Sequence, residues 1–448
     1  MGKLATFSKP LIFQSKLLCF SLIYLFSAVS LAVYFTFSAT KCVFRWSTFD
    51  PLQAPLFLYP SSYGEHKHAI PTTRNSCNSP VFFSDYHVVF DEIQKRIDGS
   101  TGQSGLRYMQ GNHETFGGNL NLSERLSFFD HHEEEETEIP CGFFKKFPVS
   151  DSDRVSMEKC RGLVVASAIF NDHDKIRQPR GLGSKTLDHA CFFMFVDDAT
   201  LNRLHYHKMI TKTSKELKIG AWRIVNVSSE LLYESPAMNG IIPKYLIHRL
   251  FPNSKYSVWV DAKMQLVVDP FLLIHSLVVE ENADMAISRH PYFSHTMEEA
   301  MATARWKKWW DVNGLKVQME TYCENGLTPW SPNKTYPTDV PDSAIILRKH
   351  TVPTNLFSCL LFNELEAFNP RDQLPFAFVR DKISPKLKLN MFEVEVFEHV
   401  AVEYRHNIVP GRARSGPRTK MASPGLFGNT SCGKCESYLL GMWGESHD

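Results

Sequence analysis

The sequence predicts an α/β protein: a mostly parallel sheet flanked by helices, behind one N-terminal transmembrane helix and a stem. Two observations predict the sheet. Continuous apolar runs of strand length recur, as strands buried on both faces require, and helix-length segments alternate with them. A third observation, the uncharged stretch from Leu17 to Thr40, predicts the membrane helix.

In chain order, residues 1–16 read as a cytoplasmic tail. Residues 17–40 are long enough to cross a hydrocarbon core of roughly 30 Å. Lys3, Lys9 and Lys16 precede the run, and Lys41 and Arg45 follow it; the bias favours a cytoplasmic N-terminus. The run is longer than a signal-peptide core and is not followed by a small-residue cleavage site, so it reads as an uncleaved signal anchor with the body in a lumen. Sequons at Asn121, Asn226, Asn333 and Asn429 agree with a lumenal body. So does the cysteine content, because several of the ten should pair in a secretory compartment. The nearest pairs are Cys141 with Cys160 and Cys432 with Cys435; Cys-Gly-Lys-Cys as half of a zinc site has no second half.

Residues 41–140 are rich in Pro, Ser, Gly and His and read as a lumenal stem from which Val81-Phe82-Phe83 docks on the body. His131, His132 and Glu133 to Glu136 read as a solvated acidic loop, because adjacent ligands in a flexible segment hold no metal geometry. The body spans 141–408. Strands are expected at Leu163–Phe170, Cys191–Val196, Ala221–Val227, Ser257–Val260, Met285–Ile287 and Ala344–Leu347. Helices are expected at Pro236–Leu250, where the apolar stripe has a period near 3.6, and at Glu298–Lys308, Leu356–Ala367 and Pro375–Val379. Residues 409–448 read as a flexible C-terminal tail.

The formal charge of +1 over 448 residues gives no electrostatic reason for a nucleic-acid partner. His-Glu-x-x-His, Gly-x-Ser-x-Gly and Walker-type glycine loops are absent from the sequence, which disfavours zincin, serine-hydrolase and P-loop chemistry.

Asp261 leads the site candidates. It ends an apolar strand, and open α/β sheets bind ligands outside the carboxyl ends of their strands. A carboxylate there can hold Mn²⁺ or Mg²⁺, which neutralises a leaving diphosphate. The usual Asp-any-Asp form is broken, since the third position is Lys263. That lysine either compensates phosphate charge directly or points away. Asp269, before Pro270, reads as structural. Asp197-Asp198 reads as a helix start with Asp198 as N-cap. The loop after the first strand packs Asp172, His173, Asp174 and Arg177 together, and Arg177 could fork onto phosphate. Asp372, at a helix start, is either an acceptor-binding base or a plain cap; Glu364 and Glu366 lie just upstream. His406 is either a second metal ligand or structural. Trp259, Trp306 and Tyr292 could stack on sugar or base.

Four segments together carry a resemblance: Leu163-Val-Val-Ala-Ser-Ala-Ile-Phe-Asn-Asp-His-Asp-Lys-Ile-Arg-Gln-Pro179, Lys244 to Lys263, Thr296 to Trp306, and Asn369-Pro-Arg-Asp-Gln373. They resemble a plant family with a glycosyltransferase-like domain, first catalogued as a domain of unknown function. It is named for a turgor-regulation-defect protein and a mucilage-related hexosyltransferase. The match covers about 141–407, and the anchor and stem, with Tyr59-Pro-Ser-Ser-Tyr-Gly-Glu-His66, look closest to the turgor-regulation branch.

The resemblance implies a GT-A-like nucleotide-diphospho-sugar transferase fold in a Golgi membrane protein. It implies hexosyl transfer from a nucleotide sugar to a glycan acceptor. Asp172, Arg177, Asp261 and Lys263 would bind the donor, Asp261 and His406 would hold the metal, and Asp372 with Glu364 would serve catalysis. It also implies a rival activity, since the turgor-regulation member is described as an alkaline ceramidase acting on ceramide. A third reading is a scaffold that kept the fold and lost the chemistry; Lys263 in place of a second acid is its main support.

Overall fold

The computed structural model describes residues 16–36, 42–45, 51–52, 55–63, 77–99, 106–111, 115–131, 137–210 and 217–406. The expected tail 409–448, the pair Cys432–Cys435, and the run 132–136 lie outside the described residues.

From the amino end come α1 (Lys16–Thr36), β1 (Val43–Arg45), β2 (Val81–Phe83), α2 (Tyr86–Asp98), β3 (Arg107–Tyr108), α3 (Leu122–Ser127), β4 (Glu138–Ile139) and α4 (Asp151–Glu158). An alternating series follows: β5 (Leu163–Ile169), α5 (Thr186–His189), β6 (Ala190–Asp197), α6 (Asp198–Tyr206), β7 (Lys218–Ile219), β8 (Trp222–Val227), α7 (Pro236–Tyr245), α8 (Ile247–Leu250), β9 (Tyr256–Val260), β10 (Met264–Leu266), α9 (Pro270–Ile274) and β11 (Met285–Arg289). The remainder is α10 (Thr296–Arg305), α11 (Val312–Glu324), β12 (Pro341–Lys349), α12 (Val352–Ala367), α13 (Gln373–Lys382), β13 (Leu389–Phe392), α14 (Val394–Val400) and β14 (Ala401–Glu403).

The main sheet has the order β13-β11-β12-β9-β5-β6-β8-β7. β5 pairs in parallel with β6 and β9, β6 with β8, and β11 with β13. β12 runs antiparallel to both β9 and β11, and β7 is antiparallel at the far edge. The sheet is thus mostly parallel with one reversed strand near its centre. β5, β9 and β12 are buried almost along their whole length, which explains why they read as continuous apolar runs rather than alternating ones. One core fills the face under α7, α10, α11, α12 and α13; the other lies under α2, α9 and α14.

Several local expectations shift. The helix expected over 236–250 starts on Ser235 as N-cap with Pro236 in its first turn, then breaks at Leu246 just after the internal Pro243. Asp197, not Asp198, caps α6: the helix starts at Asp198 directly after β6, and the Asp197 side chain accepts the Thr200 N–H. Asp269 is structural, as expected, and caps α9 while also accepting the Gly183 N–H.

The cysteine pairing differs. Cys42 bonds Cys77, Cys141 bonds Cys359 and Cys160 bonds Cys191. Cys160 precedes β5 while Cys191 lies on the adjacent strand β6, so the sheet overrides nearness in sequence. Segments of 41–140 also pack on the body well beyond Val81–Phe83. α2 buries Val89, Phe90 and Ile93, and Phe90 meets Phe271 edge-on at 5.3 Å.

Candidate functional site

The reversed strand builds the site. The parallel strands β5 and β9 end at one edge of the sheet, with Phe170 and Asp261 just beyond them. β12 enters at that same edge, so its first residues Asp342 and Ser343 stand beside Asp261, whose N–H bonds the Ala344 carbonyl at 2.8 Å. α7 and the start of α13 close over the edge. They leave a cavity of about 340 Å³ lined by His173, Asp174, Lys244, Asp261, Lys263, Asp342, Ser343, Arg371, Asp372 and His406 among others. This is where an open α/β sheet is expected to hold a ligand.

Lys244, on the buried face of α7, is the hub. Its Nζ lies 2.7 Å from Asp372 Oδ2 and 3.4 Å from Asp261 Oδ1, and donates to Ser343 Oγ at 3.1 Å. Burial opposes its charge, but Asp261 and Asp372 outweigh burial and hold its pKa above the usual lysine value. Asp372 Oδ2 also accepts from Tyr245 at 2.9 Å and from Ser343 at 2.8 Å. Burial works against its ionisation, yet Lys244 and Ser343 keep its pKa below the usual carboxylate value. Trp259 Nε1 donates to Asp261 Oδ1 at 2.7 Å. Both bonds to Asp261, from Lys244 and Trp259, engage its Oδ1.

Lys263 forms a second hub. Its Nζ donates to Glu403 Oε1 at 2.8 Å. Against burial, the field of Asp342, Glu403 and Asp261 raises its pKa. Asp342 shifts the other way: burial raises its pKa, and Lys263 only partly offsets that. His406 Nδ1 meets Asp174 Oδ2 at 3.0 Å, and this hydrogen bond raises the imidazole pKa. At the rim, Arg371 reaches the buried Glu299 at 2.6 Å, which also holds Lys308 at 3.3 Å.

The structure therefore brings together Asp261, Lys263, Asp372 and His406, four residues picked from scattered segments. Three others fall outside the cavity lining. Arg177 lies under the Tyr404 ring at 4.1 Å and donates from Nη1 to the carbonyls of Lys175 and Ala262, which fixes the loop behind Asp261, while its Nη2 is buried without a hydrogen bond. Asp172, in a left-handed turn with φ of 51°, faces Arg203 at 3.4 Å. Glu364 is sealed inside the body by Arg125 at 2.7 Å and by the Tyr322 hydroxyl at 3.1 Å. Trp259 is buried and holds Asp261, whereas Tyr292 and Trp306 are exposed. Lys244, Asp342 and Ser343 are site residues that the sequence reasoning passed over. A signal existed for the first: Lys244 interrupts the apolar stripe between Ile241 and Tyr245 on a face that buries everything else.

The donor set does not fit a divalent cation. Three of the four cavity aspartates already face a lysine, Asp261 and Asp372 at Lys244 and Asp342 at Lys263, and Asp174 is bonded to His406. A metal would have to displace ammonium groups from their partners, and Glu403, the remaining nearby acid, is bonded to Lys263. Elsewhere, Cys141, His248 and Cys359 cluster, but the two sulfurs form a disulfide and offer no thiolate.

The model of the TOD1/MUCI70 glycosyltransferase-like domain matches residues 102–406. "Alkaline ceramidase TOD1" of Arabidopsis thaliana is 65% identical over 413 residues, which is 91% of this chain and 89% of that protein. "Probable hexosyltransferase MUCI70" of the same plant is 39% identical over 280 residues, 60% of this chain and 47% of that protein. Among solved structures, mouse xyloside xylosyltransferase 1 in its apo form overlaps 52% of this chain and 84% of its own, with a TM-score of 0.28 and 8% identity.

Proposed function

The chain belongs to the TOD1/MUCI70 glycosyltransferase-like domain family, and on that premise we propose that it moves a hexosyl group from a nucleotide sugar to a glycan acceptor. The body would be lumenal, held at a Golgi membrane by α1 as a type II anchor. α1 is long and apolar enough to cross a membrane, and the three disulfides among the described residues suit an oxidising compartment.

One observation carries the reading: a polar cavity with two lysines and four aspartates sits at the carboxyl edge of a mostly parallel sheet. In hexosyl transfer the bond from the anomeric carbon to the phosphate oxygen breaks, and a bond to the acceptor oxygen forms. The diphosphate leaves with its charge, and the acceptor hydroxyl gives up a proton. Lys263 and the protonated His406 would meet the diphosphate as fixed cations, in the role first expected of Mn²⁺ or Mg²⁺. Asp261 would accept a donor hydroxyl on Oδ2. Asp372, which three donors hold in its ionised form, is a poor base; it would position Lys244 instead. Asp342 has a proton affinity raised by burial, and would take the acceptor proton. Exposed Tyr292 and Trp306, beside the Arg371–Glu299 rim, would offer rings to an acceptor sugar.

The test is thermal stabilisation of the purified protein by a panel of nucleotide sugars in EDTA, followed by transfer assays. A stabilising donor whose effect Asp261→Ala removes supports the reading; no shift with any donor sinks it.

A second reading is amide hydrolysis of ceramide, favoured by the 65% identity to a protein named as an alkaline ceramidase. Asp342 would then activate water. Release of free sphingosine by the pure protein, lost in Asp342→Asn, would select it.

A further inference from the structure

The folded body begins very close to the end of the apolar helix. α1 ends at Thr36, and Cys42 is already in the core, bonded to Cys77 and accepting the Val81 N–H on its carbonyl. Whatever path residues 37–41 take, six peptide steps reach at most about 20 Å. The headgroup layer on one side of a bilayer takes about 5–8 Å of that. What remains is about the width of one helix. A body tied this closely presents one particular face to the membrane, the face around β1.

That face exposes several apolar side chains beside charged ones, among them the Lys185–Asp91 ion pair. Phe44 of β1 stacks on Phe82 of β2 with ring centroids 5.2 Å apart, and Phe82 remains 43% exposed. Val88 projects from the first turn of α2, 62% exposed. Tyr86, two residues before it, bonds Thr186, which brings the exposed Leu187 alongside. Leu52 joins through its N–H to the Leu182 carbonyl and is exposed as well. Arg45, also exposed, lies in the field of Asp269, the same carboxylate that accepts Gly183 and Thr186. Buried bonds of Tyr86, Asp269 and Leu182 thus link the segments that carry these exposed side chains, near the point where the chain leaves α1.

We propose that this β1–α2 face rests on the lipid headgroup surface of the membrane that α1 crosses, with Phe82, Val88, Leu187 and Leu52 at the lipid interface. The inference rests on the membrane-anchor part of the proposed function, and not on the reaction. Apolar and aromatic side chains flanked by a basic residue suit the interfacial zone. The 41–140 segment then acts less as a spacer than as a clamp. From the lipid face the chain runs on to Tyr59 and Tyr63, whose hydroxyls bond the backbone of Ile176 beside the cavity loop. The cavity is thereby set at a fixed height above the bilayer.

The experiment uses the full chain in phosphatidylcholine nanodiscs, one copy per disc, with hydroxyl-radical footprinting read by mass spectrometry. Val88 and Val317 are the same residue type and are 62% and 53% exposed in the folded chain, so intrinsic reactivity cancels. Docking predicts at least fivefold less oxidation at Val88 than at Val317, with Phe82 protected in parallel. Equal oxidation of the two valines overturns the proposal. Alkaline carbonate extraction of the source membranes separates the two failures. Release of the protein sinks the anchor and the docking together; retention with equal oxidation sinks the docking alone.

Discussion

Asp372 and Glu364 keep nearly the same company and have opposite prospects. Each is a buried carboxylate facing one cation and one tyrosine hydroxyl. For Asp372 these are Lys244 at 2.7 Å and Tyr245 at 2.9 Å; for Glu364 they are Arg125 at 2.7 Å and Tyr322 at 3.1 Å. Asp372 and Lys244 open on a cavity shared with Asp261, Lys263 and His406, while Glu364 lines none of the cavity. Partner chemistry alone therefore does not separate a structural ion pair from a site. Access does, and access is a property of the sheet edge.

The sharpest way to break this comparison is to remove the cation of the sealed pair. Arg125→Ala leaves Glu364 charged and unpaired in the interior, which costs about 3–5 kcal/mol. Urea unfolding should show that loss, while the folded fraction keeps its affinity for the donor found in the thermal screen. A loss below about 1 kcal/mol would mean that Glu364 reaches solvent and that the two regions are not opposites.

Asp261→Ala should do the reverse. The side chain sits at the cavity and Lys244 keeps Asp372 as its partner, so the unfolding midpoint should move little. Transfer should fall by about 100-fold, the scale of one preorganised polar contact at a reacting centre. A large fall in midpoint with unchanged transfer would place Asp261 with Glu364 on the structural side.

Lys263 sharpens the comparison within the cavity. If its ammonium stands in for a metal, wild-type transfer is unchanged by EDTA. Lys263→Ala frees Asp342 and Glu403 to face a divalent cation; transfer should drop about tenfold, equivalent to about 1.4 kcal/mol, and millimolar Mn²⁺ should restore part of it. Steady-state rates with and without Mn²⁺ decide. Full activity of the variant without metal removes Lys263 from the reaction.

The unequal fate of these residues explains what was legible in the sequence. The buried strands were readable because burial on both faces leaves an unbroken apolar run. Asp261 was readable because it ends such a run. α2 was equally readable, since Tyr86, Val89, Phe90 and Ile93 keep helical spacing behind Asp85 as N-cap; the polar residues around it masked that signal. Asp342 was not, because its value comes from β12 running antiparallel beside β9, and strand direction leaves no mark on a short apolar run. Arg177 and Glu364 look like site residues in sequence because the chain shows charge but not the Tyr404 ring or the Arg125 partner that occupies it.

The smallest expected effect concerns His406 and Asp174 at the cavity mouth. Their hydrogen bond raises the folded pKa of His406 above its ordinary value. A raised histidine pKa means that the folded state binds the proton more tightly. The pair's contribution is fully present below about pH 6.5, the unfolded value, and is lost as pH rises through the folded pKa. Because the His406 side chain is 56% exposed, the contribution should stay below about 1 kcal/mol. Overall stability will hide it. His350 is pushed down to about 3 and His290 to about 4, chiefly by burial, so both oppose folding progressively as pH falls below about 6.5. The quantity to measure is therefore the difference in unfolding free energy between wild type and His406→Gln, from pH 5.5 to 8.5. The buried histidines cancel in that difference. It should favour wild type most at the acid end and shrink as pH rises. A difference that grows with pH would mean that His406 is neutral in the folded protein, and would take from the cavity one of the two cations assigned to the diphosphate.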